Sequence, residues 1–309
     1  MSSSVTTTVS PTRQALHRVR WDRSARLGAV VVIALVVIAA AAPLLVKLEG
    51  QDPYTYNIGL LDPARRNAPQ GAIGGVSGAH WFGVEPLTGR DLFAIVVLGL
   101  RTSLFISVVV TLITTVIGTL VGISAAYFGG WYDAVVSRLL DFLFGFPQLV
   151  FMIALGIIVP AGFPRWLLLI VVLSVFGWAG LARLIRGQAR SLVRREFVEA
   201  ARSVGSSGWQ VIARELLPNL LGPVLVVATM AVPGFIGLEA ALSFLGVGVP
   251  PPTPDLGRSI SDSIVWVYTG ADPWFLVFPG AMLFLAVLGF TLLGDGVRDG
   301  FDVRLRRAN

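Results

Sequence analysis

The sequence has no cysteine, a single lysine and two histidines, and only 14% of its 309 residues are charged. Each shortage excludes a class of chemistry. Without cysteine there is no disulfide framework, no iron–sulfur cluster and no thiol nucleophile. His17 and His80 alone leave little for a metal site, and no His-Glu-x-x-His pattern or histidine at membrane depth supports a hydrolase. A phosphate-cradling loop needs a Gly-rich turn ending in Gly-Lys-Ser/Thr, and the one lysine stands in Val46-Lys47-Leu48. Soluble domains carry about a quarter charged residues. This chain, 55% hydrophobic with a mean hydropathy of +0.77, belongs in a bilayer.

What is present is long uncharged sequence. A helix crossing about 30 Å of hydrocarbon needs roughly 20 residues that can be desolvated. Six runs qualify: 27–46, 104–128, 139–160, 166–182, a run between Glu215 and Glu239, and 273–294. The expected fold class is an all-α integral membrane protein with six transmembrane helices. With the N-terminus inside, 17 Lys and Arg residues fall on inner segments and 7 on outer ones, so both termini are expected in the cytoplasm. The net charge of +6 is then a topology signal and not a nucleic-acid surface.

The expected organisation is a cytoplasmic tail 1–26, a first transmembrane helix 27–48, an outer loop 49–100, a membrane core 101–298 and a cytoplasmic tail 299–309. The Ser/Thr-rich residues 1–12 read as disordered. Arg23, Arg26 and Ala39 to Ala42 around the first run imitate a cleavable signal peptide, but the uncharged stretch continues past Pro43 and favours an anchor. In the outer loop, Leu92, Phe93, Val96, Val97 and Leu100 share one helical face, which predicts an interfacial helix before the second span. The outer segment 249–272 opens with Pro250-Pro251-Pro252 and is expected to be irregular.

Between spans four and five, residues 186–217 are too charged for membrane and too periodic for a plain loop. Phe197, Ala200, Ala201 and Val204 form an apolar stripe at helical spacing, with Arg194, Arg195, Glu196 and Arg202 mainly off it. Gly205 and Ser206-Ser207-Gly208 end that helix, and a second short helix, Trp209 to Leu217, leads into Pro218. Periodicity alone also suits a helix lying on the inner leaflet with its arginines facing lipid phosphates.

Charges at membrane depth are functional hypotheses by default. Arg138 and Asp141 can pair at i, i+3; a transport role for Asp141 is the alternative. Glu239 stands deep in the fifth run, either hydrogen-bonded to Ser243 one turn on or lining a pathway. Pro147 and Pro233 are expected to kink their helices and are further pathway candidates. Gly118 and Gly122 form a small-xxx-small pair expected to serve packing within the chain.

Glu199-Ala200-Ala201, three residues, Gly205, then Leu217-Pro218 resembles the EAA loop of ATP-binding-cassette (ABC) importer permeases. One position departs: two before the Leu-Pro, where the general pattern has isoleucine, stands Glu215. HWFGVEPLTGRDLF and GLRTSL before span two, EAALSFLGVGVPPPTPDLGRSI around the end of span five and LLGDGVRDGFDVRLRR at the C-terminus narrow the resemblance to the peptide/nickel branch. Within it, the chain is similar to the C-type permease subunit of dipeptide and oligopeptide systems.

The resemblance implies a type I ABC importer permease fold in a bacterial inner membrane. It makes the loop a cytoplasmic coupling helix that meets the ATPase through Glu199, Ala200, Ala201, Gly205, Leu217 and Pro218. The implied partners are a homologous second permease, two ATPase subunits or one two-domain ATPase, and an extracellular or periplasmic binding protein. The outer segments, with Arg90, Asp91 and Asp255, are expected to face that delivery protein. ATP and Mg²⁺ would be used by the partners, and this chain is expected to bind no cofactor and to catalyse nothing itself. The implied cargo is a di- or oligopeptide, with nickel chelates and haem as alternatives. A self-contained secondary transporter using Asp141 and Glu239 as proton sites would show inverted repeats and more spans. It would also leave the loop unexplained.

Overall fold

The computed structural model describes residues 22–160 and 162–301. The expected tail 1–12, His17 and the arginines at 304, 306 and 307 lie outside the described residues. Among the described residues five helices are long and apolar enough to cross a membrane, and six spans result if one sharply bent pair counts as a single crossing. The chain is a multi-pass membrane protein.

Helix α1 (Arg23–Glu49) starts on Asp22, whose carboxylate accepts the Ala25 N–H at 2.7 Å. A small outer segment follows, with two-residue strands β1 (Leu61–Asp62) and β2 (Ala68–Pro69) paired antiparallel. Helix α2 (Leu92–Phe128) packs most extensively on α5 (Arg165–Leu192). Glycine is required at that contact: a β carbon on Gly118 would lie 2.9 Å from the Trp178 carbonyl oxygen, and one on Gly122 2.7 Å from that of Ala182. The small-xxx-small pair thus serves packing within the chain.

Between them come α3 (Gly130–Gly145) and α4 (Gln148–Ile158), bent by 76° across Phe146 and Pro147. The expected single span 139–160 with a kink at Pro147 is therefore two helices. Pro147 precedes α4, where its missing N–H costs nothing. The far end of α4 is closed by Arg165, which donates to the carbonyls of Gly156 (2.7 Å) and Val159 (3.1 Å), a cation on the negative end of the helix.

After α6 (Glu196–Ser203) and α7 (Gly208–Val211), the chain passes through a π-helical stretch, Ile212–Leu216, into α8 (Leu217–Phe244). Pro218 offers no N–H to the preceding turn and its ring would crowd that turn's carbonyl. The π stretch absorbs the mismatch, with the Leu217 N–H reaching back to the Ile212 carbonyl. Pro223 and Pro233 lie inside α8 without ending it. The chain closes with α9 (Leu256–Tyr268) and α10 (Trp274–Phe301).

Two expectations for the outer segments are corrected. Residues 92–100 are no separate interfacial helix but the first turns of α2, and Leu92 through Val97 are buried on every side. The apolar face was visible in the sequence; the cover over its opposite side, built by residues from α1, α8, α9 and α10, was not. Residues 249–272 are not irregular throughout. Their prolines end at Pro254, and Asp255 then caps α9 by accepting the Arg258 N–H at 2.8 Å.

Contacts sort the loops to two ends of the bundle. Arg90 donates to the Pro252 carbonyl and Arg65 to that of Ala271, which joins the two outer segments at one end. At the other, α10 packs on the start of α1, where a β carbon on Gly296 would strike Ala25, and a β carbon on Gly222 would lie 2.9 Å from Phe301. The two described chain ends thus lie at the same end as the loop between α5 and α8.

Candidate functional site

Glu196 and Glu199 occupy the first turn of α6, where their charge suits the positive helix end. Its far end is a complete Schellman closure: Gly205 N–H to Arg202 O at 3.0 Å and Ser206 N–H to Ala201 O at 3.1 Å. Gly205 adopts φ +85°, a left-handed conformation natural to glycine, and a β carbon there would meet nothing within 4 Å. The constraint at Gly205 is thus conformational within this chain. Ser207 and Gln210 form a reciprocal capping box that starts α7.

One side of α6 is tied down. Val198 is fully buried among Ile123 of α2, Leu181, Ile185 and Ala189 of α5, and Val211 and Leu216 leading into α8. The guanidinium of Arg202 lies 4.6 Å from the Tyr127 ring. The other side is bare. Ala200 is exposed and Ala201 half-buried, while Phe197, Val204 and Trp209 are 36%, 83% and 61% exposed. Leu217 is half-buried and Pro218 exposed, both at the start of α8. The predicted stripe is therefore mostly a free surface, and the residue that anchors the helix, Val198, lies off it.

Below α6, Asp133 accepts from Arg186 (2.9 Å to Nη2) and from Arg190, one turn apart on α5. Sequence reasoning passed over Asp133 and counted the two arginines only toward orientation. Their i, i+4 spacing and the Gly129-Gly130 break beside the aspartate were the available signals. Asp141 pairs with Arg183 at 2.6 Å, not with Arg138 as expected. The partner comes from an adjacent helix that spacing along α3 cannot reveal.

Glu239 has no exposed surface. The Ser243 hydroxyl lies 3.2 Å from its Oε1 and 2.8 Å from Asp255 Oδ2. With one proton, that hydroxyl serves one carboxylate at a time. Among the described residues, Glu239 Oε2 and the Ser103 hydroxyl on α2 are buried with no hydrogen-bond partner. Of the other pathway candidates, Pro147 is exposed and Pro233 half-buried.

The candidates for facing a delivery protein divide. Asp91 is 0% exposed: it caps α2 through the Ala94 N–H (2.7 Å) and meets His80 Nδ1 at 2.8 Å. Asp255 is equally buried. Both cap helices and are buried within this chain, so the charge seen in the sequence is spent on helix starts. Burial raises the Asp255 pKa, and the Arg258 N–H and Ser243 hydroxyl only partly oppose it. Arg90 is half-buried and clamps Glu85 with two hydrogen bonds, 2.6 and 3.0 Å. Burial disfavours its charge, but Glu85 outweighs that and raises its pKa. Neither His80 nor Glu85 was singled out as a partner from the sequence.

Comparison with known proteins follows the same lines. The family described as "Binding-protein-dependent transport system inner membrane component" matches residues 118–307, and the "N-terminal TM domain of oligopeptide transport permease C" matches residues 10–69. A dipeptide transport system permease of Alkalihalophilus pseudofirmus is 33% identical over 97% of this chain and 92% of its own length. An oligopeptide transport system permease of Bacillus subtilis is 31% identical over 96% and 90%. A glutathione transport system permease of Escherichia coli is 34% identical over 96% and 92%. Among solved structures, a chain of the MetNI methionine ABC transporter superposes with a TM-score of 0.53 at 21% identity, over 67% of this chain and 96% of that one. That likeness shows the fold of an ABC importer permease. By these matches across nearly its whole length, the chain belongs to the ABC importer permeases of the peptide branch, as a C-type permease subunit.

Proposed function

We propose that this chain forms half of the translocation pathway of an ATP-driven importer of di- and oligopeptides. It pairs with a homologous permease in a bacterial inner membrane, both termini in the cytoplasm. Two ATPase subunits or one two-domain ATPase consume ATP and Mg²⁺ on the inner side, and a binding protein delivers cargo outside. The chain itself catalyses nothing. Supporting the cargo class are the relatives named for dipeptide, oligopeptide and glutathione transport, all molecules with peptide bonds.

The observation that carries the coupling role is the two-sidedness of α6. Its bare face offers Phe197, Ala200 and Val204 to a partner, while Val198 on the other side grips the inner ends of α2, α5 and α8. A push on α6 is therefore delivered to three membrane helices through close-packed side chains, which transmit displacement because interiors have little free volume. The test is co-purification of the tagged chain with the ATPase subunits of its system, together with dipeptide uptake. Phe197→Asp with Val204→Asp should lower ATPase recovery about tenfold or more, each tenfold being about 1.4 kcal/mol of docking energy. Undiminished recovery, or uptake by the chain with no ATPase present, would refute the assignment.

A further inference from the structure

A charge exposed on the flank of a membrane helix needs water or a partner, at a cost that falls from about 2.5–3.5 kcal/mol at the bilayer centre toward the helix end, where Arg183 stands just past the run 166–182. The Arg183–Asp141 pair is placed to raise that question. Arg183 precedes the end of α5 at Leu192 by nine residues, about 13 Å along the axis. Asp141 lies about 12 Å along α3 beyond Asp133, the residue that meets Arg186 and Arg190 nearer the loop. The register is fixed by packing: Val136 and Leu140 of α3 lie against Trp178, Ala179 and Ala182 of α5, and Phe146 stacks on Phe176. The pair thus sits between the loop-side arginine cluster and the aromatic group at the bend. Yet its side chains are 48% and 62% exposed, and Arg183 also covers the Phe144 ring at 4.1 Å.

The exposed residues of α5 change along its length and around it: Val171 and Val175 lie about 80–180° round the helix from Gly180, Arg183 and Gly187. In the half that begins at Arg165, the exposed residues include Trp166, Val171 and Val175, which suit lipid. Toward the loop they become Gly180, Arg183, Gly187 and Gln188, with Leu184 as the apolar interruption. A β carbon at Gly180 or Gly187 would meet nothing within 4 Å, so space lies open beside the pair. Hydrocarbon would leave the two charges without solvation; water satisfies them.

We infer that Arg183 and Asp141 line a water-filled pathway in the inner half of the bundle, where they meet the terminal carboxylate and ammonium of a zwitterionic peptide in passage. The inference rests on the peptide-permease reading and adds the residues that contact cargo. An exposed ion pair is worth only about 0–1 kcal/mol. A peptide can therefore exchange its termini for the two partners at little net cost. That suits transit, because a site that bound strongly would hold the cargo.

The natural absence of cysteine makes the test direct. In inside-out vesicles holding the assembled transporter, cysteines placed singly at Gly180 and Gly187 should react with a charged methanethiosulfonate at least about tenfold faster than one at Val175, on the apolar exposed side of α5. Equal, slow reaction at all three would overturn the pathway wall, as would cross-linking of the Gly187→Cys variant to the second permease without labelling. Cargo contact is read separately. Arg183→Gln should lower uptake of a dipeptide with a free carboxylate about fivefold more than uptake of its C-terminal amide, and the exchanged pair Asp141→Arg with Arg183→Asp should recover most of the uptake lost on Asp141→Asn. Equal losses for both peptides would make the pair merely structural. If the cysteine variants label as expected while the wild-type complex takes up no peptide, the cargo reading fails and the wall stands.

Discussion

At the end of the bundle that carries residues 50–91 and 245–272, several buried charges are answered within the chain. Asp91 holds His80 and the start of α2, Glu85 is clamped by Arg90, and Asp255 holds the start of α9 and the Ser243 hydroxyl. At the opposite end, α6 and α7 leave Phe197, Val204 and Trp209 in solvent, beside short helices held by their own caps. The first end is largely closed within the chain, with these buried charges paired although Glu239 Oε2 and Asp272 Oδ2 have no partner among the described residues. The second leaves apolar surface in solvent, surface that gains by being covered. Charge in the sequence therefore pointed the wrong way at the outer end. Asp91 and Asp255 were expected to face a partner and instead build the platform on which exposed residues stand.

The largest effect that could break this contrast lies at Gly205. Gly205→Ala introduces only the left-handed strain, about 1 kcal/mol, with no collision inside the chain. Gly205→Trp adds bulk to the bare face. If that face is an interface, the Trp variant should lose more than about tenfold in ATPase recovery and uptake while the Ala variant loses a few-fold at most. Equal losses would place the whole effect in the turn and not in docking.

At the outer end, Asp91→Ala removes a helix cap and leaves His80 without its partner, together about 2–3 kcal/mol of stability. The melting temperature of the purified complex should fall, while transport per folded molecule is retained. Full thermal stability with impaired binding-protein association would restore Asp91 to the docking role.

A smaller effect sharpens the same point through pH. Asp255 has a raised pKa in the fold, so its contribution to stability is complete below the unfolded carboxyl value near 3.9 and is lost as pH rises through the native value. Melting followed by tryptophan fluorescence, taken upward from about pH 4, should show this contribution declining as pH rises. Asp255→Asn, which can still cap α9, should make the slope shallower, the remainder coming from groups such as Asp262 and Asp272, whose pKa values burial also raises. An unchanged slope would place the pH dependence elsewhere.

Where sequence reading succeeded, the physics was local. The hydrophobic runs marked the spans because desolvation acts residue by residue, although the third run concealed a 76° break at Phe146 and Pro147. Helix α6 and its stop were legible because Gly205 solves a backbone problem within five residues of chain. The loop residues that define the family were legible for the same reason.

What folding alone decided was pairing and cover. Spacing along α3 offered Arg138 to Asp141, and packing supplied Arg183 from α5. The amphipathic face of residues 92–100 suited an interface until residues from four other helices closed over its back. Glu239 was ambiguous between wall and core in the sequence, and is wholly enclosed beside Ser243 in the structure. A charge's meaning depends on what stands within a few ångströms of it. In a bundle of antiparallel helices those neighbours come from distant sequence, so composition and periodicity determined that this chain crosses a membrane, and tertiary packing determined which of its charges hold it together and which remain free to meet a partner or a cargo.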